Sequence, residues 1–251
     1  MDLITTLIII FASFIAGFIG SILGIGGGII VVPTLTNLGF PIETAIPASL
    51  LAILFNSIIS SVKYSMKKLI NFKLGLSLSI LTILGAIIGS VTFIVIPKKF
   101  LYIIFAIVVI ILGYFVFKNK KINLSKNLSY PLFIIGGIIS NLLGVGGGIL
   151  FAPLLHIIFN LELKRAIATS LLMIGIVTFT GTIIYLYNGY VDLPLSFLTS
   201  LGIILGSYLG STLMLSIKEE YQRNALVFLL VIVSFSMIYR GINENFIYKL
   251  K

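Results

Sequence analysis

Cysteine is absent from this 251-residue chain, and histidine occurs once, at His156. Without cysteine the chain has no disulfide, no thiolate metal site and no cysteine nucleophile. The sequence also lacks Gly-x-Ser-x-Gly and His-Glu-x-x-His motifs and a phosphate-loop lysine, and no third glycine completes a dinucleotide fingerprint after Gly24 and Gly26. We therefore expect no enzyme, no cofactor and no metal site.

Charged side chains are also scarce. They make up 10% of the chain, against 59% hydrophobic residues and a mean hydropathy of +1.22. A water-soluble domain of this length needs a more polar surface, and several apolar runs approach the roughly 20 residues that span a bilayer. These runs are continuous and do not alternate with period two, so they predict helices rather than a barrel. The sequence indicates an all-α polytopic membrane protein, expected in the lipid bilayer of the cell (plasma or inner) membrane.

One stretch occurs twice. Gly-Ile-Gly-Gly-Gly at 24–28 and Gly-Val-Gly-Gly-Gly at 144–148 each follow a long apolar segment, and each precedes a short one containing Pro33 or Pro153. Glycine costs about 1 kcal/mol in a helix interior and proline about 3 kcal/mol, so such breaks need a reason. Paired breaks at matching positions in two halves point to the binding site of a secondary transporter.

The duplication extends beyond the glycines. The motif Ala-x3-Ser-Leu recurs at an offset of 121 residues, as does a later Gly-x3-Gly-Ser motif, and Asn71 matches Asp192 at the same offset. The matched positions are Ala45 with Ala166, Ser49 with Ser170, Leu50 with Leu171, Gly85 with Gly206, Gly89 with Gly210 and Ser90 with Ser211. The two halves are therefore predicted to be structural repeats.

Each predicted repeat consists of a glycine-broken helical hairpin followed by three transmembrane helices. Repeat 1 occupies residues 1–117, a basic linker 118–127, and repeat 2 residues 128–251. The predicted segments are hairpin 3–38 and spans 44–62, 74–96 and 100–117, then hairpin 128–159 and spans 166–187, 193–216 and 224–240.

Loop charge indicates how the repeats are related. The loop at 63–73 carries four lysines, whereas its counterpart at 188–192 has no Lys or Arg and one Asp. Lysines in short loops act as topology signals, so we do not expect the net charge of +10 to bind nucleic acid. Matching loops that differ in this way in their Lys and Arg content are expected on opposite sides of the membrane, which predicts two inverted repeats.

With both glycine motifs, the following Ala-x3-Ser-Leu motifs and the paired Gly-x3-Gly-Ser motifs, the chain resembles the sulfite exporter TauE/SafE family of membrane permeases over nearly its whole length. The resemblance implies transport of a small anion, chiefly sulfite or an organosulfur compound. Members of that family often keep an acidic residue at the positions of Asn71 and Asp192, and Asn71 departs from that pattern.

The glycine clusters suit an anion on physical grounds. A helix that restarts after them presents the free N–H groups of its first turn and the positive end of its dipole, and glycine lets a ligand approach the backbone. The predicted substrate-binding glycines are Gly26, Gly27, Gly28, Gly146, Gly147 and Gly148. The alternative is that they only permit close helix packing, which is our interpretation of Gly85, Gly89, Gly206 and Gly210.

Polar side chains within the spans complete the candidate site. Asn56, Asn141, Ser49 and Ser170 could hydrogen-bond an anion, or they could bond a neighbouring helix instead. His156, three residues past Pro153, is a candidate for coupling transport to protons, with an ordinary interfacial histidine as the alternative.

Together these features predict a secondary transporter, a permease or exporter, of a small anion such as sulfite or another sulfur-containing or organic anion. A passive anion channel and the membrane subunit of a larger complex are the alternatives. A coupled transporter would depend on a proton or sodium gradient and a channel would not. The anion itself, the direction of transport and the oligomeric state, a homodimer included, stay open from the sequence.

Overall fold

The computed structural model describes residues 2–97 and 126–218, and in addition residues 100–101, 103–104, 107, 110, 220–222, 224, 228, 231 and 235. The predicted spans 100–117 and 224–240 and the linker 118–127 lie largely outside these residues. Within them every regular element is a helix, and five helices are long and apolar enough to cross a membrane. The prediction of an all-α polytopic membrane protein is confirmed.

The helices of the described residues fall into two sets of four. They are α1 (Leu3–Leu23), α2 (Gly28–Asn37), α3 (Ile42–Met66) and α4 (Phe72–Val95), then α5 (Lys126–Leu143), α6 (Gly148–Ile157), α7 (Leu163–Tyr187) and α8 (Leu193–Leu213), with a 3₁₀ turn at Met214–Ser216. The helices α2 and α6 have only ten residues, or roughly 15 Å, half the thickness of a hydrocarbon core.

The first hairpin folds back on itself. Helix α1 ends where Gly24 adopts the left-handed conformation and donates its N–H to Gly20 O, an ordinary way to end a helix. Helix α2 then returns along α1, since Val31 and Leu35 pack in one cluster with Ala16 and Ile9. In the second hairpin α5 ends in the same way, before Gly144 with φ of 67°.

Helices α4 and α8 begin with equivalent caps. Asn71 Oδ1 accepts a hydrogen bond from Leu74 N at 3.1 Å, and Asp192 Oδ1 accepts one from Leu195 N at 3.0 Å. Asparagine and aspartate serve almost equally well as N-caps. Asn71 therefore caps α4 in the way that Asp192 caps α8.

The first helix of each set packs mainly against a helix of the other set. The most extensive packing of α1 is against α8, and that of α5 is against α4, so each hairpin packs against the last helix of the other set. A Cβ on any of the four expected packing glycines would overlap backbone of the opposing helix: Gly85 that of Ile134, Gly89 that of Ile138, Gly206 that of Phe14 and Gly210 that of Phe18. Our interpretation of these four glycines as packing residues is confirmed.

Two lysines identify which helix ends lie together. Lys63, near the end of α3, donates to Tyr208 O and Thr212 Oγ1 in the last turns of α8, both at 2.6 Å. Lys164, at the start of α7, donates to Leu215 O just beyond α8. The end of α3 and the start of α7 are therefore at the same end of the molecule, which we call the lysine-rich end, and α3 and α7 run in opposite directions.

The outer surface of the bundle is apolar. Large side chains on one face of α4 are exposed, among them Leu76, Ile80, Leu84, Ile87 and Val91. Their spacing of three and four residues gives a continuous stripe along the helix. Such a stripe suits contact with lipid, where the backbone is already satisfied within the helix.

Candidate functional site

The two glycine breaks meet in the interior of the protein. We call residues 24–27 the first glycine loop, residues 144–147 the second glycine loop, and the place where they meet the crossing. Every residue of both loops is buried. Gly27 and Gly147, with φ of 95° and 71°, precede the first residues of α2 and α6. Only glycine adopts such angles readily, which explains the glycines at positions 27 and 147.

Contact at the crossing is reciprocal. A Cβ on Gly28 would overlap Gly144 O, and a Cβ on Gly148 would overlap Gly24 O. The α-hydrogens of Gly28 and Gly148 thus point at carbonyl oxygens of the opposite half, a contact that contributes weakly on its own. Any larger residue at Gly28 or Gly148 would force the two halves apart.

Two isoleucines lie between the loops. A Cβ on Gly26 would be 2.8 Å from Cγ2 of Ile53 and 3.4 Å from Cγ2 of Ile174, and a Cβ on Gly146 would be 3.1 and 3.2 Å from the same two methyl groups. Ile53 and Ile174 are fully buried and are separated by the repeat offset of 121. We call them the isoleucine pair. They close the centre of the crossing with apolar atoms.

The first turns of α2 and α6 keep unsatisfied donors. Among the hydrogen bonds of the described residues, the N–H groups of Gly27, Gly28 and Ile29 have no acceptor, and neither do those of Gly147, Gly148 and Ile149. The first N–H groups of a helix have no partner within it, and buried ones are nearly always satisfied from outside. Six buried donors at two facing helix starts are therefore unusual.

The two predicted serines are part of the crossing, but they bind protein. Ser49 Oγ donates to Gly144 O at 2.9 Å, and Ser170 Oγ lies 3.2 Å from Gly24 O and 2.8 Å from Ile167 O. Each serine therefore ties a helix of its own half to the glycine loop of the other half. Their hydroxyl protons are already committed.

Asn56 also binds protein, but it bonds the glycine loop of its own half. Its Nδ2 donates to Gly26 O at 2.8 Å, and its Oδ1 accepts from Ser21 Oγ and Ser207 Oγ, both at 2.6 Å. All three polar side chains are buried. This cluster joins α1, α3 and α8 beside the first glycine loop, so Asn56 has a clear structural role.

Asn141 differs from Asn56. Its Nδ2 donates to Ala86 O at 3.2 Å and to Ser90 Oγ at 3.1 Å, and no hydrogen bond joins it to the second glycine loop. Its Oδ1 has no partner among the described residues. By the repeat offset the position equivalent to Asn56 is Val177. The two predicted asparagines are therefore not equivalent, and the structure brings only Asn56 into contact with a glycine loop.

His156 lies away from the crossing. It is exposed in the last turn of α6, and its Nδ1 is 2.8 Å from Leu161 O. The residues around it are Asn160, Leu161 and Glu162, in the loop that leads to the lysine-rich end. The structure does not bring His156 together with the glycine loops.

Sequence reasoning missed the isoleucine pair and one pair of tyrosines. Tyr64 OH donates to Ser21 O at 2.8 Å, and Tyr185 OH donates to Asn141 O at 2.6 Å. Both tyrosines are fully buried and they, too, are separated by 121 residues. A search of the two repeats for identical residues at this offset would have found both pairs.

Comparison with known proteins identifies the family of this chain. The sequence profile of the family described as sulfite exporter TauE/SafE matches residues 9–237. The chain belongs to the TauE/SafE family. A relative from Methanocaldococcus jannaschii, named a probable membrane transporter protein, is 30% identical over 253 residues, covering 92% of this chain and 94% of the relative. No solved structure matches the chain.

Two bacterial relatives carry similar names. Probable membrane transporter protein YunE of Bacillus subtilis is 26% identical over 271 residues, covering 94% of this chain and 98% of YunE. Probable membrane transporter protein YfcA of Escherichia coli K12 is 24% identical over 243 residues, covering 92% of this chain and 89% of YfcA. The chain is thus a multi-pass membrane transporter of the TauE/SafE type.

Proposed function

We propose that this TauE/SafE protein is a secondary transporter of a small anion, with sulfite or another sulfur-containing or organic anion as its substrate. The anion is bound near the middle of the membrane by backbone N–H groups at the starts of α2 and α6. The observation that carries this proposal is the crossing, where six buried N–H groups of two facing helix starts have no acceptor among the described residues.

The electrostatics of the crossing favour a negative ligand. Each helix start carries the equivalent of about half a positive charge, and such N–H groups are a recurrent anion-binding device. The nearest atoms around the loop glycines belong to backbone, apolar side chains and serine hydroxyls. An anion bound there would meet dipoles rather than a fixed cation, which suits a ligand that must also leave.

The isoleucine pair supports a carrier over an open pore. Ile53 and Ile174 fill the space between the loops, and apolar constrictions without water block ions. An anion would reach the N–H groups only when the two halves move apart. Such movement around a central site, open to one side at a time, is the usual cycle of transporters built from repeats.

The helix directions support inverted repeats. Helices α3 and α7 occupy equivalent places in the two sets, and they run in opposite directions because Lys63 and Lys164 both reach the end of α8. An inverted pair would present equivalent surfaces of the crossing to the two sides of the membrane. A proton or sodium gradient is the proposed driving force, and His156 is kept as the candidate for proton coupling.

Transport by purified protein in liposomes tests the proposal. Uptake of labelled sulfite would be measured against competing sulfate, thiosulfate, an alkanesulfonate and acetate, with and without imposed pH and sodium gradients. We expect saturable uptake that a gradient accelerates. Uptake that is unsaturable and independent of any gradient would favour a passive channel, and no uptake of any anion would overturn the transport proposal.

Glycine variants with matched controls test the site. Gly27→Ala places a Cβ 2.6 Å from Ala16 O, whereas Gly39→Ala, with nearly the same φ of 94°, meets nothing within 4 Å. Gly147→Ala and Gly189→Ala, with φ of 71° and 74°, form a second such pair. We expect both loop variants to lose uptake and both controls to keep it. If a loop variant does not fold, stabilisation of the wild type by added sulfite gives an independent measure of binding.

A further inference from the structure

Three hydroxyl groups on α3 and α7 have no hydrogen-bond partner among the described residues. They are Ser57 Oγ, Ser61 Oγ and Thr182 Oγ1. The side chains of Ser57 and Thr182 are 1% and 7% exposed, and Ser61 is half-buried with its oxygen shielded. Buried hydroxyls in folded proteins nearly always have a partner, so these three call for an explanation.

All three are aligned with the isoleucine pair. Ser57 and Ser61 follow Ile53 by four and eight residues, and Thr182 follows Ile174 by eight, spacings that keep side chains on one stripe of a helix. Ser57 Cβ is 3.2 Å from the place where a Cβ of Gly175 would be. Ser57 therefore lies where α3 meets α7, one turn from the residue that closes the crossing.

The two stripes lead in opposite directions. Helix α3 runs toward the lysine-rich end, where Lys63 bonds α8, and helix α7 starts at that end with Lys164. Ser57 and Ser61 are consequently on the lysine-rich side of the isoleucine pair. Thr182 is on the other side.

Three other hydroxyls on these two helices are committed to protein carbonyls. Ser49 and Ser170 bond the glycine loops. Thr178, which matches Ser57 at the repeat offset, donates to Ile174 O at 2.8 Å. The three unpartnered hydroxyls are thus a distinct set within a stripe of otherwise satisfied ones.

We propose that Ser57, Ser61 and Thr182 donate hydrogen bonds to the transported oxyanion as it enters and leaves the crossing. Ser57 and Ser61 act on the lysine-rich side, and Thr182 acts on the opposite side. A hydrogen bond to a charged oxygen is stronger than one between neutral groups, yet an uncharged donor does not trap the ion. This inference rests on the proposed anion transport and adds the side chains that line the path.

The test is the Michaelis constant for labelled sulfite, measured separately from each face of the protein in oriented liposomes. Ser57→Ala should raise it about tenfold when sulfite is presented at the lysine-rich face, and Thr182→Val should do so at the opposite face. Thr178→Val, which removes a committed hydroxyl at the position equivalent to Ser57, should leave both values unchanged. The thermal stability of Ser57→Ala should equal that of the wild type, because its hydroxyl has no partner to lose.

Each other outcome counts against the inference. The inference is overturned if the Michaelis constants do not change, or if they change equally from both faces. Lower thermal stability with unchanged Michaelis constants would also overturn it, because it would indicate a structural role. If wild-type protein transports sulfite, and Gly27→Ala abolishes uptake while Ser57→Ala and Thr182→Val keep both constants, only this inference fails. If the wild type transports no anion, the proposed function and this inference fail together.

Discussion

Ser49 and Gly144, 95 residues apart, join the two halves of the protein: Ser49 Oγ donates to Gly144 O at 2.9 Å. The equivalent bond, from Ser170 Oγ to Gly24 O, is 3.2 Å long. Both carbonyls belong to glycine loops, and both serines are fully buried. The position of each loop therefore depends on a hydroxyl from the other half.

Ser49→Ala should lower the free energy of unfolding by about 1–2 kcal/mol, because Gly144 O would be left buried without this donor. Ser170→Ala should cost less, since its longer bond to Gly24 O shares one proton with Ile167 O. Thermal unfolding in detergent measures both. Ser77→Ala, which removes an exposed hydroxyl bonded within its own helix, is the control. Equal stability of Ser49→Ala and Ser77→Ala would contradict this account of the crossing.

Ile53→Ala and Ile174→Ala should each open the crossing to anions. We expect gradient-independent leakage of labelled sulfite, similar in the two variants because each residue contacts both glycine loops. Each should also lose about 2–4 kcal/mol of stability through the cavity that it leaves. Ile203→Ala removes an equally buried isoleucine from a different core cluster, so it should lose stability without leaking. Leakage in all three variants would indicate general loosening instead.

Asp192→Asn should leave both stability and transport nearly unchanged, because asparagine already caps the equivalent helix at Asn71. Asp192→Ala and Asn71→Ala should each cost about 1 kcal/mol. Thermal unfolding and sulfite uptake measure the two effects. Loss of uptake in a stable Asp192→Asn protein would show that the charge itself is needed.

Met66 and Tyr187 test the inverted arrangement. They end α3 and α7, differ by the repeat offset of 121, and are 80% and 91% exposed. The chain has no cysteine of its own, so Met66→Cys and Tyr187→Cys each carry a single thiol. A membrane-impermeant maleimide should label the two variants from opposite sides of the membrane. Labelling of both from the same side would make the repeats parallel.

The breaks in the helices were predictable from local chemistry. A run of glycines cannot continue a helix cheaply, and α1 does end at Leu23 with α2 beginning at Gly28. Pro33 is not part of the break, because it lies inside α2. The packing role of Gly206 and Gly210 follows similarly from a known small-residue spacing. These features depend on neighbours in the sequence, which is why sequence patterns report them.

The contacts of the crossing were not predictable in this way. The sequence singles out Ser49 and Ser170 as polar residues within the spans, but the carbonyls that they bond are 95 and 146 residues away. Asn56 and Asn141 looked alike in sequence, yet they have different neighbours because they occupy different positions in their repeats. Only the three-dimensional arrangement separates committed hydroxyls from the unpartnered ones of Ser57 and Thr182.

The exchange of hairpins between the halves also affects how the protein is made. Helix α1 is synthesised first, but its main packing partner α8, Leu193–Leu213, is among the last described helices to leave the ribosome. Contacts between residues this far apart in sequence form slowly. Until α8 has been made, α1 lacks its main packing partner and is vulnerable to misassembly. Helices α1 and α8 must therefore pack together inside the bilayer after nearly the whole chain has been inserted. The two halves made as separate polypeptides would reach the native fold only by assembling together.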